Sequence, residues 1–310
     1  MSHVIFVVGP TASGKTALAV QLAQQLGGEV ISADSMQVYA PMRIGTARPT
    51  DAEMDGVPHH LLGFLPLTQP YSVAQYAEDA RRCIADVASR GRVPIVAGGT
   101  GLYVSALADG LTFSESHRDD ALRAELTRRA QTEGGAALLR ELAEFDPESA
   151  ARLHPANVGR IIRAIEIYRT DGITMTEQLR RSRAVPPPWH STMIGLTYRD
   201  RAVLYDRINR RVDQMLADGL EDEARRVLAM DGGATALQAI GYKELAPYLA
   251  GECSRDAAVE RLRQATRHYA KRQLTWFRRD PRIRWLYPDE TPNILQQAIQ
   301  LCQESTEPTQ

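Results

Sequence analysis

The chain has 310 residues, 44% hydrophobic and 24% charged, with a formal net charge of −1. That suits a soluble globular protein of one large or two smaller domains with a substantial core. No apolar stretch approaches the ~20 residues that span a bilayer, and a strand opening at Val4 leaves no room for a signal peptide. Cys83, Cys253 and Cys302 have neither the number nor the spacing of a disulfide framework or a zinc site. The expectation is a cytoplasmic protein without membrane contact.

Residues 4–16, VIFVVGPTASGKT, pass from an apolar strand into a glycine-bounded loop, and ALAVQLAQQL (17–26) then takes up helical spacing. Gly9, Gly14, Lys15 and Thr16 satisfy G-x-x-x-x-G-K-[ST] in the strand-loop-helix setting that the phosphate-loop motif requires. Pro10, Thr11, Ala12 and Ser13 complete the loop. Its backbone N–H groups form a concavity for anionic oxygens, the helix directs its positive end there, and Lys15 adds a full charge. Thr16 is placed to hold Mg²⁺. The motif points to a grip on a diphosphate or triphosphate without naming the molecule that carries it.

Strand two, GEVISAD (28–34), follows a helix stop at Gly27 and Gly28. A Gly- and Pro-rich loop runs from residue 36 to about 70. The helix predicted over 72–90 has apolar residues at Val73, Tyr76, Ala77, Ala80, Ile84, Val87 and Ala88, close to a period of 3.6. Gly91 closes it, and RVPIVAGGTG (92–101) supplies strand three and a second glycine turn. Strands alternating with helices across short turns predict an α/β fold, a P-loop-like doubly wound parallel sheet. From about 114 to 183 the chain is helical and rich in Arg and Ala, ending at Val185-Pro186-Pro187-Pro188, a stiff spacer that cannot be helical. STMIGLTY (191–198) reads as a return strand and the segment from 199 on as helical. The expected organisation is a core of 1–112 and 187–310 with a helical insertion over 113–186.

Ligand-binding groups gather at the carboxyl ends of strands in open parallel sheets. Three such ends are visible: the phosphate loop, Asp34-Ser35-Met36-Gln37, and Gly98-Gly99-Thr100-Gly101. With no acid directly after strand three, Asp34 is the best-placed carboxylate, as an outer Mg²⁺ ligand or a general base. Its plain alternative is a turn former or helix N-cap. Between Arg255 and Arg284, ten Lys/Arg stand against three acids. This hints at a polyanion partner, though a solvated helix would give the same count. ATRHYAKRQLTWFRRD (265–280) interleaves Arg267, Lys271, Arg272, Arg278 and Arg279 with His268, Tyr269, Trp276 and Phe277. Cations among aromatics suit single-stranded nucleic acid, and some of the rings equally suit a core stripe. Arg160 and Arg163 share a helical face and offer a second contact.

An ordered set of blocks carries a family resemblance: GPTASGKT (9–16), ISADSMQVY (31–39), MRIGTARPT (42–50), VPHHLL (57–62), VAGGTGLY (96–103), GRIIRAIEIY (159–168), LYDRINRRVDQML (204–216), AIGYKEL (239–245) and RHYAKRQLTWFRR (267–279). Over nearly all of residues 4–287 the chain resembles the tRNA dimethylallyltransferase (tRNA isopentenylpyrophosphate transferase) family, bacterial type. The resemblance implies transfer of a dimethylallyl group from dimethylallyl diphosphate to N6 of the adenosine just 3′ of the tRNA anticodon, with Mg²⁺ as cofactor. By the family's pattern Asp34 is the general base, Thr11, Lys15 and the rest of the loop hold the diphosphate, and Arg211 is a further diphosphate contact. The anticodon stem-loop would meet Asp34, Ser35, Met36, Gln37, Thr100 and Arg123. It would also meet Gly159, Arg160, Ile161, Ile162 and Arg163, then Gln238, Gly241, Tyr242 and Lys243, and finally Lys271, Arg272, Gln273, Trp276 and Arg278. Gly159 and Ile162 depart from the more polar residues of that family helix.

Tyr103 and the apolar residues of 36–67 are candidates for a prenyl slot, and a monomer is expected. An aspartate of ordinary pKa, ~3.9, would serve, because N6 sheds its proton only as the C–N bond forms. Other readings of the loop are a P-loop kinase, a prenyltransferase of free adenine nucleotides, and a nucleotide-gated RNA-binding protein. The arginine-rich insertion and basic C-terminal stretch speak against the second.

Overall fold

The computed structural model describes residues 2–111, 119–184, 186–232 and 239–305. In chain order these form β1 (Ser2–Val8), α1 (Lys15–Leu26), β2 (Gly28–Ser32), α2 (Asp51–Met54), β3 (His59–His60), α3 (Val73–Ser89), β4 (Val93–Gly98) and α4 (Gly101–Ala108). Five helices follow: α5 (Asp120–Glu133), α6 (Gly135–Phe145), α7 (Pro147–Arg152), α8 (Val158–Asp171) and α9 (Met175–Arg183). The chain then forms β5 (Trp189–Leu196), α10 (Arg201–Ala217), α11 (Leu220–Leu228), α12 (Tyr242–Leu249), α13 (Arg255–Phe277), β6 (Ile283–Leu286) and α14 (Ile294–Glu304). Two compact units result, one of 1–108 with 188–310 and one of 109–187. The insertion therefore begins a few residues before the 113 read from composition.

In the first unit the six strands are all parallel, in the order β3-β2-β4-β1-β5-β6. The alternation of side chains along β1 decides what covers each face. Val4, Phe6 and Val8 pack with Tyr76, Ala80 and Ile84 of α3, Tyr103, Val104 and Leu107 of α4, and Phe277 of α13. Ile5 and Val7 pack with Leu18, Ala19 and Leu22 of α1 and with Ala298 and Cys302 of α14. Because both faces are covered, VIFVV reads as a continuous apolar run rather than an alternating one. The doubly wound sheet expected from sequence is present.

Three elements differ from the sequence reading. Residues after 199 are not all helical: α13 ends before Pro281, and in the strand β6 that follows Ile283 and Trp285 pack on the α3 and α4 face of the sheet while Leu286 packs on the α1 and α14 face. Within the 36–70 loop, β3 pairs His59 with Val30 and His60 with Ile31. The same loop forms the short α2, capped reciprocally by Thr50 and Glu53. Its apolar residues Val38, Tyr39, Met42, Leu65 and Leu67 are core, packed with α10 to α13. The helical unit has its own core, in which Leu126 of α5, Leu138 and Leu142 of α6, and Ile161, Ile162 and Ile165 of α8 meet. Among the described residues no helix is long and apolar enough to cross a membrane.

Candidate active site

The loop between β1 and α1 is built by backbone conformations that few residues tolerate. Gly9 has φ +147, and a Cβ there would lie 2.2 Å from the Leu196 carbonyl oxygen of neighbouring β5. Ala12 (φ 62) and Gly14 (φ 98) are left-handed, which turns successive N–H groups inward. Lys15 Nζ donates to the Pro10 carbonyl at 2.7 Å, folding the side chain over the loop. The Ser13 hydroxyl is buried and has no protein partner among the described residues. Such a donor fits an anionic oxygen. Thr16 is exposed in the first turn of α1. No cluster of three or more His, Cys, Asp or Glu exists among the described residues. A Mg²⁺ carried by phosphate oxygens, the Thr16 hydroxyl and water matches that donor set, since this ion retains several waters and needs few protein ligands.

Around the loop, two cations and one carboxylate share a poorly hydrated space. Burial, and then the nearby Arg211, bring the Lys15 ammonium down to about 7, with Asp34 opposing. Asp34 is pushed up by burial, against the pull of the Met36 N–H, Lys15, the Gln37 N–H and Arg211. The ordinary aspartate pKa expected from sequence is thus corrected: desolvation outweighs the neighbouring cations. Burial also lowers Arg211, countered by Glu53 and Asp34. Asp34 is a turn former as well, since its Oδ1 accepts the Met36 N–H at 2.9 Å.

Hydrogen bonds tie the three strand ends together. Thr100 N–H donates to the Ala33 carbonyl at 3.1 Å, and Thr100 Oγ1 accepts the Ser35 N–H at 3.0 Å. Gln37 accepts from the Ser32 hydroxyl at 3.0 Å and donates to the Thr46 and Ala47 carbonyls, both at 3.2 Å. Gln273, expected to face RNA, is instead buried against the phosphate loop and the turn after β4. Arg211 reaches the Ala47 carbonyl at 3.5 Å. Tyr103 is buried and stacked on Tyr76 with ring centroids 3.9 Å apart.

Sequence reasoning missed two groups here, Arg207 and Glu223, and read a third, Tyr269, only as a base-stacking or core ring. Arg207, one turn before Arg211, donates Nε to the Ala12 carbonyl at 3.0 Å; the i, i+4 spacing from Arg211 on a helix was the available signal. Tyr269 of α13 is held neutral by burial and by Asp34. Glu223 of α11 accepts the Arg43, Ile44 and Gly45 N–H groups at 3.0, 2.9 and 2.8 Å and the Tyr242 hydroxyl at 2.8 Å. That carboxylate fixes the MRIGTA turn, whose carbonyls hold Gln37 and Arg211.

A family model described as IPP transferase matches residues 37–280. The chain is 48% identical over 285 residues to the tRNA dimethylallyltransferase of Geobacillus thermodenitrificans, covering 91% of this chain and 89% of that protein. To the one from Thermoanaerobacter sp. it is 43% identical over 294 residues, covering 94% and 93%. The chain belongs to the IPP transferase family. Among solved structures, the full-length tRNA isopentenylpyrophosphate transferase from Bacillus halodurans superposes with a TM-score of 0.72 at 41% identity, covering 99% of this chain and 98% of that one. A eukaryotic dimethylallyltransferase captured acting on tRNA gives 0.82 at 27% identity, covering 96% and 78%.

For this IPP transferase family member, the residues expected to meet RNA divide by burial. Ser35, Met36, Gln37 and Thr100 are half-buried beside Asp34, and Lys243, Lys271, Arg272, Trp276 and Arg278 are exposed. Arg255 pairs with Glu221, Arg263 with Asp213, and Arg267 with Glu260. Lys271, Arg272, Arg278 and Arg279, in the second half of the basic stretch, have no ion pair among the described residues. Tyr242 and Gly241 are buried, the former held by Glu223, so their side-chain contact with RNA is corrected. Gln238 lies outside the described residues. In the helical unit Gly159 and Arg160 are exposed, whereas Ile161 and Ile162 point into the core, which corrects them as contacts. They pack with Ala164 and Ile165 in the core of the unit, and a helix cannot offer that face to solvent.

Arg123 and Arg163 converge on Glu166, which is fully buried. Burial raises the Glu166 carboxyl, but bonds from both arginines and from the Asp119 N–H outweigh it and hold it at about 2. A carboxyl depressed on folding stabilises the fold above its ordinary pKa and loses that contribution as the pH falls through the folded value. Glu166→Gln is therefore expected to cost roughly 3 kcal/mol near neutral pH. The gap in stability from wild type should close between the ordinary 4.5 and about 2, followed by chemical denaturation across that range. A gap independent of pH would contradict the ion-pair account.

Proposed function

We propose that the chain transfers the dimethylallyl group of dimethylallyl diphosphate to N6 of the adenosine immediately 3′ of the tRNA anticodon, releasing diphosphate. The observation that carries this reading is the confinement of Asp34 with Lys15 and Arg211 at adjoining strand ends beside the phosphate loop. It is supported by the names of the relatives, which are tRNA dimethylallyltransferases. The C1–O bond of the donor breaks as the C1–N6 bond forms, and the N6 proton passes to a carboxylate oxygen of Asp34. The leaving diphosphate gathers charge at the N–H groups of Gly14, Lys15 and Thr16, at the Lys15 ammonium and at Arg211, where a water-poor setting strengthens each interaction. When bound, Mg²⁺ supplies further neutralisation of that charge. Diphosphate arriving against Lys15 favours its charged form again.

Burial makes Asp34 a stronger proton acceptor than a solvated aspartate. Positioning contributes more, since aligning two reactants is worth roughly 7–11 kcal/mol. The adenosine must leave its stack to reach the sheet edge, at less cost in a loop than in a duplex.

The test is mass spectrometry of tRNA incubated with the protein, Mg²⁺ and dimethylallyl diphosphate. The expected result is one added C5 unit on an adenosine; ATP hydrolysis without the adduct would favour a kinase-like or nucleotide-gated reading. Asp34→Ala should lower turnover by about 10²–10⁴-fold with tRNA affinity nearly unchanged, and affinity lost in step with rate would remove the base assignment. For the exposed cations, Lys271→Ala with Arg272→Ala should reduce the slope of log affinity against log salt by about 1.5. An unchanged slope in a filter-binding titration would take this stretch out of the RNA interface.

A further inference from the structure

We infer that Gln273 is a positioning residue for the transfer, fixing the diphosphate loop against the strand ends that present the proton acceptor. This rests on the reading above and concerns a side chain that the family pattern would give to RNA. Gln273 lies on the inner face of α13 and is only 5% exposed, next to the buried Ala270 and Phe277. Its neighbours Lys271 and Arg272 point to solvent. Its Oε1 accepts the Thr11 N–H at 2.8 Å, and its Nε2 donates to the Gly99 carbonyl at 2.9 Å. A backbone N–H can only donate and a carbonyl only accept, so the amide has one permitted orientation. Gly99 is required for this approach: a Cβ there would sit 2.1 Å from Gln273 Nε2.

The sheet order gives the bridge its consequence. β4 lies between β2, which leads to Asp34, and β1, which leads to the phosphate loop. Gln273 joins the loop to the end of β4. Thr100, the next residue after Gly99, joins the end of β4 to Ala33 and Ser35, the two neighbours of Asp34. One continuous chain of hydrogen bonds thus sets how far the proton acceptor stands from the leaving diphosphate. It also commits the Thr11 N–H to Gln273, leaving the Thr11 hydroxyl as the group that residue offers to substrate. In-line transfer tolerates little error, because a misplacement of about 1 Å can cost about 100-fold in rate.

The experiment uses two variants of the full chain. Gln273→Met keeps the volume and removes both bonds, together with the polar contact to the Tyr269 hydroxyl. Gln273→Glu keeps the acceptor for Thr11 N–H and loses the donor to Gly99 unless protonated. The C5-transfer rate at saturating donor and tRNA, the tRNA dissociation constant and the melting temperature are measured for each. For Gln273→Met the rate should fall about 30- to 100-fold, with tRNA affinity within twofold of wild type. For Gln273→Glu the rate relative to wild type should rise from about pH 8 to about pH 6, because a buried carboxyl takes up its proton early and regains the donor. A Met variant that keeps its rate within threefold, tRNA affinity lost in step with rate, or a flat pH ratio for the Glu variant would each overturn the inference. If the Met variant fails to fold, the Glu ratio decides; if neither folds, Gln273 is structural and the inference falls. Wild-type protein that adds no C5 unit would sink the parent reading, whereas an active wild type with an unaffected Met variant sinks this one alone.

Discussion

Lys15, Arg211 and Asp34 are held together where water is scarce, and the rest of the site follows from how that charge imbalance is kept. Two cations face one carboxylate there, all three half-buried. Burial lowers Lys15 to about 7 and raises Asp34, so each group is poised to change its charge balance when an anion arrives. A diphosphate stabilises the cations, and a nucleophile turning cationic stabilises the carboxylate. These are the two partners of an allylic transfer, and the same imbalance suits both at once.

The fold makes this juxtaposition by topology more than by local sequence. β1, β4 and β2 lie side by side, so three turns far apart in sequence share one edge of the sheet. α13 seals that edge from its inner face through Gln273 and Phe277 while carrying the exposed cations Lys271 and Arg272 on its outer one. α10 closes another side, with Arg207 on the Ala12 carbonyl and Arg211 beside Asp34. Glu223 adds a third support by gathering three N–H groups of the MRIGTA turn. Gln273 and Glu223 are buried polar groups with their partners satisfied, the condition under which such networks rigidify a site.

Much of this was legible in the sequence because it rests on local rules. The phosphate loop carries its own spacing, the strand-terminal Asp34 follows an apolar run, and α3 is marked by period and by the Ser72–Gln75 capping box. What stayed hidden depends on distant pairing. Nothing local tells that Gln273, following the exposed Lys271 and Arg272, turns inward to Thr11 and Gly99, or that Glu223 serves a turn about 180 residues earlier. In the motif GRIIRAIEIY, residues 159–163 are the ones expected to face RNA. Its isoleucines are the core of the helical unit, and Arg163 and Arg123 are drawn to a glutamate three or more residues away. β6 escaped because four residues give too short a pattern to outweigh the long helix before it.

The most direct test of this account is a structure of the protein with an unreactive allylic thiodiphosphate and Mg²⁺. The phosphate oxygens should lie in the loop of residues 9–16, on the N–H groups of Gly14, Lys15 and Thr16, with the Lys15 ammonium moved from the Pro10 carbonyl onto phosphate and the allylic carbon turned toward Asp34. Phosphates bound elsewhere while Lys15 stays on Pro10, or an allylic carbon facing away from Asp34, would contradict it.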